Sequence, residues 1–293
     1  MKSTTYGNLW MLVAGVFFAC MGVLVKIGAQ KFSSNELVFY RSLFGLLALF
    51  VVARGGGSTL VTRHWKMHLS RSLLGFSSLA LYFYAITTLP LATAVTLNYT
   101  SPLFLAALTL TYFRQAARPV LLLSIAIGFV GVALLLQPSF SSGTWLPALL
   151  GLISGLLAGI VYLQIRQLGQ VGEPELRTVF YFTLTCTIGS GLWMLIHQFH
   201  ALTLPDLVLL CAMGACATLA QLAMTRAYCK GDLLVAGSLA YSTVILSSLF
   251  GILLWGEVLS PAGWIGVVLI VASGIISLRG RADFDKSAQA PTL

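Results

Sequence analysis

The polar residues able to do chemistry in this chain are few, and the densest set is Asn98-Tyr99-Thr100-Ser101-Pro102. It interrupts an otherwise apolar run. Pro102 has no N–H, so the carbonyl four residues earlier, on Asn98, loses its helical partner. That carbonyl, the Asn98 amide and the Tyr99 and Ser101 hydroxyls then gather at one level and need partners in an apolar setting. A solute ammonium or amide would serve, and so would neighbouring helices packed round a kink. Tyr241-Ser242-Thr243 repeats part of the pattern without the proline. Helical spacing places Ser78, Tyr82 and Ala85 on one face, Thr218, Gln221 and Thr225 on another, and Tyr162 and Gln164 near one end of a third.

The charged residues are as informative. Lys26 and Arg41 fall near the ends of apolar runs. They either snorkel towards water or edge a vestibule that attracts a carboxylate or phosphate. Glu36, Glu173, Glu175, Asp206, Asp232, Glu257, Asp283 and Asp285 all fall at run ends, in loops or in the tail. A proton relay through a buried central carboxylate is therefore not expected. Cys20, Cys186, Cys211, Cys216 and Cys229 lie inside apolar runs with no metal-ligand spacing. His64 and His68 flank a basic segment, and His197 and His200 end an apolar run, which reads as solvated ends. No HExxH, paired aspartate, Ser/His couple or phosphate loop is present in the sequence, so no enzyme, no metal and no cofactor are expected.

The elements that must position these groups follow from composition. Of 293 residues, 58% are hydrophobic and 9% charged, with mean hydropathy +0.93. A soluble domain carries ~25% charged residues. That excludes a soluble enzyme, a disordered chain, a disulfide scaffold and, despite a net charge of +9, a nucleic-acid binder. Runs of about 20 apolar residues suffice to cross a bilayer. The runs are 8–28, 36–53, 70–89, 92–113, 118–137, 146–166, 176–197, 205–227, 233–255 and 261–279. The fold class is thus an all-α membrane protein with ten transmembrane helices. With the N-terminus cytoplasmic, all of the 17 Lys and Arg except Lys26, Lys31 and Arg41 lie on the cytoplasmic side. Both termini are then cytoplasmic. Trp10, Trp65, Trp145, Trp255 and Trp264 fall at or near the expected boundaries, as an aromatic belt does.

The sequence also repeats itself. A shift of 142 residues places Ala85 on Ala227, Ala94 on Ala236, Leu97 on Leu239, Tyr99 on Tyr241 and Pro119 on Pro261. A shift of 140 places Gly15 on Gly155, Ala19 on Gly159 and Lys26 on Arg166. The halves are 1–140 and 141–280, followed by a polar cytoplasmic tail, 281–293. Five spans per half is an odd number, so the second repeat enters the membrane inverted. Inverted halves can open a central site to each side in turn. Gly151, Gly155 and Gly159 form a small-residue stripe, and Gly15, Ala19 and Gly22 form another. Such stripes serve close helix packing or a flexible gate, and Pro102 marks a kink.

Trp255-Gly256-Glu257-Val258-Leu259-Ser260-Pro261, with Gly266-Val267-Val268-Leu269-Ile270 and Gly274, resembles the closing signature of the ten-helix drug/metabolite transporters of the EamA type. Glu36-Leu37-Val38-Phe39-Tyr40-Arg41 resembles the opening of their second helix. The resemblance spans nearly the whole chain. It departs where Phe18-Ala19-Cys20 replaces a Trp-Gly-Ser of the family, and where Gln115 stands opposite Glu257 of the second half.

The resemblance implies a secondary transporter of a small metabolite in a bacterial-type inner membrane. An amino acid or related amphipathic solute, exported or exchanged by alternating access, is the leading expectation. A nucleoside-like solute such as S-adenosylmethionine is the alternative. Expected substrate-binding residues are Asn98, Tyr99, Ser101, Ser78, Tyr82, Gln164, Gln221, Tyr241, Lys26 and Arg41; Pro102, Gly155 and Gly159 are the gating or kink positions. The expected partners are the small-molecule substrate and membrane lipids, with no nucleic acid and a monomer as the unit.

Overall fold

Long apolar runs must satisfy their own backbone groups where no water is present, which only a helix does within one segment. In the computed structural model, which describes residues 2–56, 59–89, 91–112, 119–138, 145–196, 199–256 and 258–287, every regular element is helical. In chain order they are α1 (Lys2–Gly28), α2 (Ser34–Gly55), α3 (Trp65–Thr88), α4 (Leu91–Asn98), α5 (Ser101–Tyr112) and α6 (Pro119–Leu136). There follow α7 (Trp145–Gln170), α8 (Glu175–Met194), α9 (Leu204–Lys230), α10 (Leu233–Ala240), α11 (Ser242–Trp255) and α12 (Pro261–Ser287). Among the described residues, seven stretches are long and apolar enough to cross a membrane: α1, α2, α6, α7, α9, α10 with α11, and α12.

The expected spans 92–113 and 233–255 each appear as two helical segments. Tight three-residue hydrogen bonds join them: Thr100 N–H to the Leu97 carbonyl in the first, and Tyr241 N–H to the Ser238 carbonyl in the second. Proline is therefore not the common cause, since only the first break has one. Pro102 occupies the second position of α5, where its missing N–H is tolerated. The last helix continues past the expected end at 279 to Ser287. Lys, Ala, Asp and Arg in this stretch have no helix breaker among them after Gly280.

Local signals fix the ends. Ser33 and Glu36 form a reciprocal cap at the start of α2, and Thr203 and Asp206 do so at α9. The Asp232 side chain accepts the Leu234 and Val235 N–H groups at the start of α10. Arg166 donates to the Tyr228, Cys229 and Gly231 carbonyls at the end of α9, where a helix presents unpaired acceptors and partial negative charge.

The helix pairings keep their pattern when α1–α6 are exchanged for α7–α12. Helix α1 packs on α9 and α3 on α7, while α2 meets α8 and α6 meets α12. Segments α4 and α5 lie against α7, as α10 and α11 lie against α1. Gly15 of α1 faces Ser242 and Thr243 at the second break, and Gly155 of α7 faces Leu97, Asn98 and Thr100 at the first. The largest core cluster includes Leu105, Ile125, Val132, Ile165, Ala223, Tyr228, Val235 and Tyr241. Outside it, Val51, Leu192, Ile196, Val208, Leu253 and Val268 are exposed. Such an apolar exterior suits lipid, not water.

Candidate functional site

The two breaks meet at the centre of the bundle. At the first, the Asn98 Nδ2 donates to Ser154 Oγ at 3.1 Å. Ser78 Oγ donates to the Ser154 carbonyl at 2.8 Å. Ser154 Oγ in turn donates to the Gly151 carbonyl at 2.6 Å. Ser154 of α7 thus ties Asn98 of α4 to Ser78 of α3, and it was not among the expected site residues. Serine on a glycine-rich helix face was the signal in the sequence. Gly155 and Gly159 continue that face. A Cβ on Gly155 would stand 2.8 Å from the Leu97 carbonyl oxygen, and one on Gly159 would stand 3.1 Å from that of Ser101. Helix α7 runs unbroken through both, so they serve close approach to the broken helix and introduce no kink of their own.

Tyrosines fill the centre. Tyr99 lies 6.3 Å from Tyr241, ring centre to ring centre, with the Thr243 side chain nearby. Tyr162 stacks on Tyr228 at 4.6 Å, with the Ser101 side chain nearby. Tyr82 is within electrostatic reach of Tyr99. Tyr82, Asn98, Tyr99 and Tyr162 keep accessible surface while the three tyrosines are enclosed by the bundle. Together they form a polar centre between the two breaks. Beside them the Tyr228, Tyr241 and Ser242 hydroxyls and Gln221 Oε1 are buried with no hydrogen-bond partner. Buried polar atoms without partners are costly and call for an explanation; a polar solute supplies one. Asn98, Tyr99, Ser101, Ser78, Tyr82 and Tyr241 therefore converge, with Gln221 buried on the facing α9.

The remaining expected residues lie elsewhere. Lys26 is exposed and sits 4.0 Å over the Trp255 ring, near the end of the bundle opposite the start of α1 (the outer end). Gln164 donates to Ser70 at 2.8 Å at the end where α1 begins (the inner end). There it lines a cleft of about 210 Å³ with Lys66, Met67, Ser70 and Gln167. Arg41 is not at a rim at all: it is 7% exposed. Arg71, which the charge pattern places among cytoplasmic residues, is 1% exposed and lies 4.0 Å over the Phe182 ring. Its position inside the run 70–89 was the available signal.

Both ends of the bundle are fastened across the halves. At the outer end the Glu36 carboxylate accepts the His200 N–H at 2.7 Å and meets its Nδ1 at 2.8 Å; Lys31 pairs with Asp206. At the inner end Glu173 accepts from Thr62 at 2.5 Å and Arg177 at 2.7 Å, and meets His68 Nε2 at 3.1 Å. His68 is therefore a buried hydrogen-bond partner of Glu173 and not a solvated end, while His200 stays half exposed and meets Glu36. Burial alone would push the Glu173 carboxyl up. The hydrogen bonds from Thr62, Arg177 and His68 outweigh it and hold the carboxyl down at about 2. Gln115, His197 and Glu257 lie outside the described residues. Among the described residues, no group of three or more His, Cys, Asp or Glu is placed to hold a metal.

The profile of the EamA-like transporter family matches residues 5–137 and 145–279. The chain belongs to the EamA-like transporter family. It is therefore a multi-helix membrane transporter, and its apolar exterior suits that setting. It is 29% identical over 269 residues to the pseudopaline exporter of Pseudomonas aeruginosa, covering 91% of this chain and 94% of that one. To the riboflavin transporter of Rhizobium johnstonii it is 29% identical over 278 residues, covering 93% and 91%. The S-adenosylmethionine uptake transporter of Rickettsia bellii is 22% identical over 272 residues, with 92% of each chain covered. A crystal structure of 18% sequence identity superposes with a TM-score of 0.81 over 94% of this chain and 96% of that one, which shows that the fold is shared.

Proposed function

We propose that the chain is a secondary transporter of a small metabolite, an amino acid or related amphipathic solute, exported or exchanged across a bacterial-type inner membrane. Both termini are cytoplasmic. Ten spans form two inverted five-helix repeats, 1–140 and 141–280, ahead of a polar tail, 281–293. Alternating access to the site between them moves the solute. The observation that carries this reading is the meeting of two broken helices, one from each half, whose polar groups gather inside the bundle. Discontinuous helices expose backbone and side-chain groups to a solute at mid-membrane. The exchange-invariant pairing of α1–α6 with α7–α12 supports the repeat, and the clasps at opposite ends support two gates. The pseudopaline exporter among the relatives supports export. The stacked Tyr162 and Tyr228, together with the S-adenosylmethionine relative, favour a flat nucleoside-like solute as the second reading.

Vesicles containing the purified chain, given a panel of labelled metabolites in counterflow, test the proposal. Asn98→Ala should reduce flux far more than His197→Ala. Equal effects would remove the proposed site.

A further inference from the structure

Two guanidinium groups lie inside the bundle with no ion pair to an acid among the described residues. Arg41 of α2 places Nη1 3.6 Å from the Met21 sulfur, and its Nε has no hydrogen-bond partner. Arg71 of α3 covers the face of Phe182, and its Nε and Nη1 are without partners. Gly75, one turn on, lies beside it: a Cβ there would stand 3.4 Å from Arg71 Nη1, an ordinary contact, and 3.0 Å from the Phe182 ring. The side chain thus runs along α3 towards the middle of the bundle. The Cys186 thiol of α8 is within electrostatic reach of both guanidinium groups, and Tyr162 of the central cluster is within reach of Arg71.

Helix geometry sets the depth. At 1.5 Å per residue, Arg41 lies about 10 Å below the outer end of α2 and Arg71 about 9 Å above the inner end of α3. The two arginines approach the middle from opposite ends and bracket it. Among the described residues no ion pair reaches either guanidinium, and four of the acids are engaged elsewhere. Glu36 holds His200, Glu173 holds His68 and Arg177, Glu175 holds Lys230, and Asp206 holds Lys31. A buried charge is retained against its desolvation cost only when something pairs it. An aromatic face and a thioether do not neutralise two cations.

We infer that Arg41 and Arg71 form the anion-recognition part of the transport site, so that the solute carries a carboxylate or phosphate that passes between them. This rests on the transport reading and deepens it by naming the substrate class. Arginine presents a planar fork of donors suited to both anions. Two cations at successive depths give the anion one partner on entry from each side. The polar centre that holds Tyr99, Tyr162 and Asn98 then meets the rest of the molecule.

The test uses the full chain in lipid nanodiscs. Its thermal unfolding is followed with added mono- and dicarboxylates, phosphate monoesters, and diamines of matched length. Carboxylates or phosphate monoesters should raise the melting temperature with a saturable concentration dependence, and the diamines should not. Which of the two anion classes acts identifies the group recognised. Arg41→Gln and Arg71→Gln should each raise the half-saturating concentration about tenfold or more, with Arg→Lys recovering part. Without solute, both Gln variants should melt no lower than the parent, because they remove an uncompensated charge. The inference is overturned if no anion stabilises the parent, if diamines act as well as anions, or if the double Gln variant keeps the parent's half-saturating concentration. Counterflow in vesicles separates the two levels. Flux of uncharged solutes unaffected by the Arg changes would sink this inference and leave the transporter standing. Anion binding that needs both arginines, without flux of any solute, supports the inference and strikes the transport reading.

Discussion

Replacing Gly155 with alanine probes whether the broken helix α4–α5 is held in place by close contact. The new Cβ would meet the Leu97 carbonyl oxygen at 2.8 Å, the Asn98 carbonyl oxygen at 3.2 Å and, closest of all, the Thr100 hydroxyl. Two of these are backbone atoms, so a rotamer change cannot clear them. Overpacking of this kind costs roughly 1–3 kcal/mol, while Gly→Ala inside a helix gains roughly 0.5–1 kcal/mol. The net is roughly 0–2.5 kcal/mol of destabilisation.

Gly22 supplies the reference, since nothing lies within 4 Å of a Cβ there; Gly22→Ala should show the helix gain alone. Gly15→Ala should fall between, because its nearest contacts are the Ser242 and Thr243 hydroxyl oxygens at 3.1 and 3.2 Å. Melting temperatures in nanodiscs should therefore rank Gly22→Ala above Gly15→Ala above Gly155→Ala. Counterflow should drop most for Gly155→Ala, because the shifted segment carries Asn98, Tyr99 and Ser101. Adding Thr100→Ala removes the nearest contact and should recover part of both. Equal melting and full flux for Gly155→Ala and Gly22→Ala would refute the reasoning.

Three further outcomes are expected. Ser154→Ala removes the acceptor of the Asn98 amide. By the usual worth of hydrogen bonds between membrane helices it should cost only about 0.6 kcal/mol, yet lower flux nearly as much as Asn98→Ala, as read by melting and counterflow on the same preparations. Tyr228→Phe deletes a buried hydroxyl that has no partner; melting should hold or rise, while the half-saturating solute concentration rises. Glu173→Gln should lower the melting temperature at neutral pH. The folded carboxyl is held at about 2 against an ordinary 4.5, so its contribution is present above about 4.5 and is lost as pH falls towards 2. The gap between parent and variant, followed by melting across that range, should close on acidification.

Much of this was legible in the sequence because lipid leaves few options. A run such as 146–166 with little charge must be helical, and α7 spans it. Tyr99 and Tyr241, superposed by a shift of 142 residues, stand at the two breaks. What the sequence obscured was direction. Arg41 and Arg71 lie close enough to helix ends to pass for snorkelling or topogenic charge, and only packing shows that both turn inward. Ser154 looked like one more small residue on a glycine stripe until Asn98 and Ser78 were seen to reach it. His68 and His200 pair with Glu173 and Glu36, which are 105 and 164 residues away along the chain. No local pattern reports separations of that size.

The placement of Glu36 and Glu173 has a mechanical corollary. Each carboxylate tethers the second helix of one half to the approach to the third helix of the other, and the tethers sit at opposite poles of the bundle. A swing that parts the halves at one pole must rupture the tether there and hydrate its carboxylate, while the other stays intact and acts as the fulcrum. Travel to either side thus starts from a doubly locked posture. The two locks differ in make: across the halves Glu36 takes the backbone N–H and the ring of His200, whereas Glu173 takes the Thr62 hydroxyl and the His68 ring, with Arg177 of its own half beside it.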